Sequence, residues 1–553
     1  MITQKTKQQI SEAVSAVLGK LSTEQLPNFT VEVPASVANG DFSCNAALVS
    51  AKVLKQPPRK VAELILNEMD TSSFKKVEIA GPGFINFFVE AKWHVDAVRE
   101  VLALAGDYGK SSLGEGKRVL LEFVSANPTG PMHIGNARGG ALGDCLASLL
   151  QFAGYYVERE FYVNDAGNQI DKFGLSLDLR YRQELGENVE LPEDIYHGED
   201  IVEHAKNFIK EHGDKYLKST ETERRAALVA FALPLNIKTL EEDLGKYRIK
   251  YDNWFRESTL HESGEVSKIV ELLTEKGQTY EKDGAIWLKT EQFGDEKDRV
   301  LVRANGVPTY LVPDIAYHYN KLSQSGRNFD LAVDIFGADH HGYMARMNAA
   351  MSALGIEVSR LKMIIMQMVR LKNRAGETIK LSKRSGKAIT LSTLLEEVPV
   401  DAARFFFNLR DANTHLEFDL DLAIEETSKN PVYYVQYAHA RTCNILKRLS
   451  EDEGVTLDEN YAFSYAHEAE IQLSARIAAF PDEIVSAAES FDPSRLTRYA
   501  TELAQSFHLF YENCHIKGHD IAVQQSRLAL VAATGIVLRN VLGILKVEAP
   551  ERM

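Results

Sequence analysis

His133, Gly135 and Asn136 stand close together in the run Glu122-Phe-Val-Ser-Ala-Asn127-Pro-Thr-Gly-Pro-Met-His133-Ile-Gly135-Asn136-Ala-Arg138. The apolar stretch Val119 to Val124 leads through two prolines and a glycine into Ala141 to Phe152, where apolar residues recur at helical spacing. A strand, a tight loop and a helix in that order aim free backbone N–H groups and the positive end of the helix at whatever lies above the loop. An anion is the expected ligand. The loop holds neither GxGxxG nor the Lys-Ser/Thr of a P-loop, and His133 and Asn136 add side-chain donors beside the backbone ones. A second stretch, Thr378-Ile-Lys380-Leu-Ser382-Lys383-Arg384-Ser-Gly386-Lys387, follows the strand-like run Met363 to Leu371 and gathers cations suited to polyphosphate. Taken singly, the first stretch reads equally as a chance tetrad and the second as a solvated surface.

The elements that must position these residues alternate. Apolar runs at Tyr155 to Val163, Arg299 to Val302, Phe329 to Phe336 and Met363 to Leu371 are separated by helical stretches such as Gly342 to Leu354. This predicts an α/β fold, Rossmann-like, with a doubly wound parallel sheet carrying its ligands at the carboxyl ends of the strands. From about 170 to 294 the chain turns to long charged helices, read as an insertion between the halves of a nucleotide-binding domain spanning 109–390. Before it, residues 1–108 read as a compact α/β module: an amphipathic helix through Ile10, Val14 and Val17, helices Ala46 to Leu54 and Val61 to Met69, and strands flanking Gly81-Pro82-Gly83. Asp107 to Gly116 is polar and Gly-rich, a linker. From Leu391 strand signals vanish, and 391–553 reads as an α-helical bundle in which His467 to Ala488 is one helix.

A chain of 553 residues is too long for one core, and 45% hydrophobic with 25% charged residues is ordinary globular composition. The formal net charge of −15 argues against a general nucleic-acid binder but leaves room for local basic patches. Cys44, Cys145, Cys443 and Cys514 are scattered with no CxxC pair, so they are expected reduced and structural. No apolar run is read as reaching the ~20 residues that span a bilayer, and the N-terminus has no signal-peptide core. No membrane contact and a cytoplasmic location are expected.

Together and in this order, the two cationic or anion-binding stretches resemble the signatures of class I aminoacyl-tRNA synthetases. The match is closest to the arginyl-tRNA synthetase family, through Glu122 to Gly140, Tyr162-Val-Asn-Asp-Ala-Gly-Asn-Gln169, Thr309-Tyr-Leu-Val-Pro-Asp314-Ile-Ala-Tyr317, Gly337-Ala-Asp-His-His341-Gly and the ending Ala-Pro-Glu-Arg-Met553. The resemblance implies an arginine–tRNA ligase that uses ATP and Mg2+, forms arginyl-adenylate only with tRNA(Arg) bound, and works as a monomer. Two other readings were weighed: a non-catalytic tRNA-binding paralogue, disfavoured by intact His133, Lys380 and Lys383, and a small-molecule adenylyltransferase, which has no use for the flanking domains.

By that resemblance His133 and Asn136 hold the ATP phosphates, Gly135 admits the adenine, His340 and His341 contact adenosine, and Lys380, Ser382 and Lys383 close over the pyrophosphate. The class pattern has histidine where Asn136 stands; an amide still donates but carries no charge. A metal held by His340, His341 and His133 is disfavoured, because adjacent histidines point apart. Selecting a guanidinium over an ammonium calls for coplanar carboxylates, here Glu122 and Asp314, with Tyr310 as wall. Ser125, Asn127 and His340 take the α-amino and carboxylate ends of L-arginine. In the bundle, Tyr437 and Arg441 fall on one helical face, an aromatic plate beside a guanidinium suited to stacking on unpaired bases or, on the bland reading, core tyrosines with a capping arginine. The resemblance favours base contact and adds Tyr511 and Met553. It also gives the N-terminal module a contact with the outer corner of the tRNA, with Lys52, Lys55, Arg59 and Lys60 as phosphate candidates or simply a solvated face.

Overall fold

An amphipathic helix, α1 (Ile2–Leu21), opens the chain and buries Ile10, Val14, Val17 and Leu18 along one stripe. The computed structural model describes every residue except Thr23, Gln25, Ala35, Ser36, His341 and 374–389, so Lys380, Ser382, Lys383 and His341 lie outside the described residues. After α1 come β1 (Val31–Glu32), β2 (Phe42–Cys44), α2 (Ala46–Leu54), α3 (Pro58–Glu68), β3 (Lys76–Ala80), β4 (Phe84–Phe88) and α4 (Ala91–Leu104), the last a helix not read from the sequence. The strands form an antiparallel sheet in the order β1-β2-β4-β3. Gly83 closes the β3–β4 turn with φ +144, and a Cβ there would stand 2.9 Å from the Pro58 carbonyl carbon, so only glycine fits.

The middle of the chain runs β5 (Arg118–Glu122), α5 (Ile134–Phe152), β6 (Tyr156–Val163), α6 (Asn168–Glu184), α7 (Glu199–His212), α8 (Glu221–Lys246), β7 (Asn253–Arg256), α9 (Glu257–Glu262) and α10 (Glu265–Glu275). It continues with β8 (Thr279–Lys282), β9 (Ala285–Leu288), β10 (Arg299–Val302), α11 (Leu311–Leu322), β11 (Leu331–Gly337), α12 (Tyr343–Leu354), β12 (Leu361–Met366), β13 (Val369–Lys372), α13 (Leu391–Glu397), α14 (Val400–Phe407), β14 (Leu416–Asp419) and α15 (Leu420–Ile424). The main sheet is parallel throughout, in the order β12-β11-β5-β6-β7. The chain winds away from β5 through β6 and β7 and returns on its other side as β11, which makes a crevice at the carboxyl ends of β5 and β11.

Two strands fall elsewhere than expected. Arg299 to Val302, read as resuming the nucleotide sheet, is β10, and it pairs antiparallel with β9 in a separate sheet. Asp283 and Gly284, with φ 53 and 74, turn β8 back into β9, and the hairpin offers β10 an edge. Conversely β7, inside the stretch taken as insertion, is the edge strand of the main sheet. A four-residue apolar run shows that a strand forms, not which edge it joins.

The bundle consists of α16 (Pro431–Glu453), α17 (Glu468–Ala478), α18 (Phe480–Ser490), α19 (Ser494–Asn513) and α20 (Ile521–Ile544). The single helix expected over His467 to Ala488 divides into α17 and α18, because Pro481 in the first turn of α18 has no N–H to continue the ladder. By length and apolarity α20 could cross a membrane, contrary to the expectation that no run is long enough, and 67% of its most apolar window is buried inside the protein. The free cysteines Cys44, Cys145 and Cys514 are buried and Cys443 is half-buried.

Met1–Ser111 with Glu426–Met553 forms one compact unit and Ser112–Glu425 the other. The helical stretch from Leu391 to Ile424 therefore belongs with the main sheet rather than with the bundle, a boundary different from the one expected at 391. Its contacts explain this: Arg404 Nη2 donates to Asp144 of α5 at 2.6 Å, and β14 pairs with β13. Helical periodicity shows that one face is buried, not against which body. In the first unit the N-terminal module meets the bundle directly, Thr3 Oγ1 donating to the Ala478 carbonyl at 2.8 Å.

Candidate active site

The signature loop begins with backbone strain. Val124 and Ser125 have φ 70 and 41, a conformation costly for any residue with a Cβ and costlier for a β-branched one. The turn is held from three sides: Ser125 N–H donates to the Phe123 carbonyl at 3.0 Å, its hydroxyl donates to Glu122 Oε1 at 2.9 Å, and Ser125 Oγ accepts from Tyr162 N–H at 3.1 Å. Behind it α5 lies so close to β5 that a Cβ on Gly143 would fall 2.3 Å from the Phe123 ring. The loop ends at His133, the N-cap of α5, which is exposed and whose side chain caps no N–H. Nothing stands within 4 Å of where a Gly135 Cβ would be, so the backbone of this first turn is open to a ligand. Met132 and His133 are tied in turn to the far end of the lysine stretch, through the Leu391 N–H to Met132 carbonyl bond of 2.8 Å and a bridge between His133 and Thr390.

A cleft of about 1760 Å³ opens at these strand ends. Glu122, Ser125, Asn127, His133, Asn136, Tyr310, Asp314 and His340 all line it, so sequence motifs from three separate stretches are brought to one place. Tyr310 stands 63% exposed at its rim. His340 is also exposed, its ring stacked 5.2 Å from that of Phe336. The cleft also takes Tyr162, Asn164, Gln169, Tyr196, Glu257 and His318, which sequence reasoning did not assign. Tyr162 to Gln169 had been noticed as a motif without a role; Glu257 carries no signal in spacing or composition, since the fold alone turns it inward at the start of α9.

The closed end of the cleft is acidic. Burial pushes the Asp314 carboxyl up to about 6; His318 and Tyr343 oppose the rise and the like charges of Glu257 and Glu122 add to it. Burial likewise raises Glu257, partly offset by Tyr162 and His261. The Tyr162 hydroxyl is raised by burial and then by the charges of Glu257, Asp314 and Glu122, and all four residues line the same cleft. Glu122 is 5% exposed and meets a cation: Lys321 Nζ donates to its Oε2 at 2.6 Å and to Asp334 Oδ1 at 2.7 Å. His318 bridges the Asp314 carbonyl at 2.7 Å and Asp334 Oδ2 at 2.9 Å. Such a pocket has more buried negative than positive charge, and a ligand bearing a cation relieves the excess. Lys380, Ser382, Lys383 and His341 lie outside the described residues, and the geometry speaks for none of them.

The other unit holds a different cluster. The Arg441 guanidinium sits 4.7 Å from the ring centroids of both Tyr437 and Tyr511, and its Nη2 donates to the Tyr437 hydroxyl at 2.6 Å. Both rings are partly open, 36% and 39% exposed, and Met553 is exposed as well. Gln436 and His439 hold the C-terminal tail against α16 through the Glu548 and Pro550 carbonyls. Burial and then Arg441 lower His508, which packs beside this cluster, to about 4. Of the basic residues singled out in the N-terminal module, Arg59 donates to the Gly81 carbonyl and Lys60 pairs with Glu63, as a solvated face would.

Comparison with known proteins covers the chain almost end to end. Residues 4–89 match the arginyl tRNA synthetase N terminal domain, 97–445 the class I (R) tRNA synthetase catalytic domain, and 435–553 the DALR anticodon binding domain. An arginine–tRNA ligase of Caldanaerobacter subterraneus is 51% identical over 100% of both chains, and one of Acetivibrio thermocellus is 49% identical over 99% of both. The arginyl-tRNA synthetase structure from Thermus thermophilus superposes with a TM-score of 0.78 at 21% identity, covering 99% of this chain and 100% of that one, which shows the shared fold.

Proposed function

Because the chain belongs to the arginyl-tRNA synthetase family, as a class I enzyme that ligates arginine to tRNA with ATP as substrate, we propose how its own residues divide that work. An arginine carboxylate oxygen attacks the α-phosphorus of ATP and pyrophosphate leaves; a hydroxyl of the terminal ribose of tRNA(Arg) then attacks the carbonyl carbon and AMP leaves. Charge grows on phosphate oxygens in the first step, so donors placed for the transition state supply the rate. His133 and Asn136 at the open first turn of α5 hold the phosphates, and the bare backbone at Gly135 lies against the adenine. His340, with His341, contacts adenosine. By resemblance Lys380, Ser382 and Lys383 neutralise the departing pyrophosphate. Mg2+ would enter with the nucleotide, held by its phosphates; among the described residues no group of three or more His, Cys, Asp or Glu gathers to hold a metal.

Asp314 and Glu122 face the guanidinium, with Glu257 adding to the negative field. Asn127 and His340 hold the α-amino and carboxylate ends. Ser125, whose hydroxyl is spent on Glu122 and Tyr162 N–H, fits a role in fixing Glu122 better than direct contact. Tyr437, Arg441, Tyr511 and Met553 stack on and grip unpaired anticodon bases, and the N-terminal module meets the outer corner of the tRNA. The protein acts as a cytoplasmic monomer, and arginine activation waits for bound tRNA.

The observation that carries this reading is that Glu122, Asp314 and Glu257 line one cleft with Tyr162, beside His133 and Asn136 at the start of α5. ATP–pyrophosphate exchange with arginine, run with and without tRNA(Arg), tests it. Exchange requiring both is expected. Exchange with arginine alone removes the tRNA requirement, and exchange driven by lysine as well as by arginine overturns the pocket.

A further inference from the structure

Lys321 is a fully buried charge beside the cleft that the proposed chemistry leaves unused. It lies on the last turn of α11, fully buried, and its three N–H donors have three neighbours: Glu122 from β5 at 2.6 Å, Asp334 from β11 at 2.7 Å, and the Tyr317 ring at 4.0 Å. Glu160 from β6 adds negative charge at longer range. Burial alone would discharge both members of the Lys321–Asp334 pair, but Lys321 and His318 hold Asp334 down to about 2, and Asp334, Glu122 and Glu160 raise Lys321. The two are therefore ionised partners. One partner carboxylate with its histidine would have satisfied the ammonium; this one is also tied to a residue lining the cleft.

We propose that Lys321 is the positioning residue of the arginine pocket, fixing the carboxylate of Glu122 from behind for the substrate guanidinium. The proposal rests on the reading of Glu122 as a guanidinium contact. Lys321 at Oε2 and Ser125 Oγ at Oε1 take one lone pair on each oxygen, which sets the plane of the group and leaves two acceptor sites for a planar fork. An ammonium in this place also occupies the space behind Glu122 with a like charge for any cationic substrate, so the guanidinium is met by the carboxylate face and kept from going deeper.

Steady-state aminoacylation by Lys321→Met tests this. The arginine KM should rise about tenfold or more while kcat and the ATP KM stay within about threefold. Since Lys321→Met leaves Asp334 buried with His318 but without its ammonium partner, the double variant Lys321→Met/Asp334→Asn is measured beside it: it should recover the melting temperature but not the arginine KM. Glu122→Gln alone should raise the arginine KM, and adding it to the double variant should raise it little further, as expected of residues acting through one another. If the folded double variant binds arginine normally, or if the effects of Lys321 and Glu122 simply add, Lys321 is structural only and the proposal falls. An unchanged arginine KM in Glu122→Gln would instead remove Glu122 from the pocket and take the underlying reading with it.

Discussion

Tyr162 and Tyr437 are the centres of two clusters built from the same kinds of side chain with the signs reversed. Around Tyr162, Asp314, Glu257 and Glu122 are gathered in a buried end of the cleft, with Lys321 touching only the last. Around Tyr437, one guanidinium lies between two rings that remain over a third exposed. Burial makes the first cluster discriminating, since excess negative charge out of water is relieved only by a ligand whose cation fits. Exposure makes the second tolerant: an aromatic face stacks on any base, and affinity accumulates from area and from the phosphate backbone. On the proposed reading, small-substrate identity is written in buried charge and tRNA affinity in half-open surface.

The sharpest test of that contrast is Asp314→Ala. Removing a buried charged contact should lower kcat/KM for arginine about a hundredfold or more, with the ATP KM moving less than about threefold; equal losses for both substrates would show that Asp314 serves the fold of the cleft rather than the guanidinium. Next in size, Tyr437→Ala with Arg441→Ala should raise the tRNA KM roughly tenfold to a hundredfold, at about 1–3 kcal/mol per stacked base, without changing ATP–pyrophosphate exchange at saturating tRNA. An unaltered tRNA KM would return both residues to the core.

The two clusters should also part company in pH. Asp314 is raised from 3.8 to about 6, so between those values the free pocket holds a proton that the unfolded chain does not. Its contribution to stability accordingly grows as pH falls from 6 towards 4 and is lost as pH rises through 6, while arginine, which must expel the proton, binds less well on the acid side. From pH 7 to 5 the arginine KM should rise about tenfold. His508, lowered to about 4, stays neutral across that range and should leave the tRNA KM flat. Titrating both constants on the same preparation decides the point: a flat arginine profile would mean that Asp314 is ionised throughout. The smallest effect is expected for Tyr437→Phe, which keeps the stacking ring and loses only the hydroxyl bonded to Arg441. A tRNA KM raised less than about threefold is predicted, and a larger change would move the recognition from ring to hydroxyl.

Much of the cleft was legible in residue order. Strand, proline-broken loop and helix placed His133, Gly135 and Asn136 at a helix start, and the acid and tyrosine spacings that resemble the family brought in Glu122, Tyr310 and Asp314. Lys321 and Glu257 carry no local mark, and Tyr162 stands in a motif whose order gives it no role: Lys321 reads as one more lysine near the end of an amphipathic helix until β5 and β11 are laid beside it. The same limit explains the strands. Arg299 to Val302 shows strand periodicity, yet the Asp283-Gly284 hairpin and not the nucleotide sheet supplies its partner; β7 reached the main sheet from within a stretch dominated by charged helices.

Periodicity, turn residues and the order of polar motifs follow from the backbone's own geometry, so the sequence by itself determined most segments as helix or strand, that a parallel sheet forms, and which loop leads from β5 into α5. Which edge a strand joins, which body a helix packs against and which charges meet in the interior depend on contacts between residues far apart in the chain, where burial multiplies the strength of every charge. Only the tertiary structure decided that Glu122, Lys321 and Asp334, from three separate elements, share one buried network beneath the cleft.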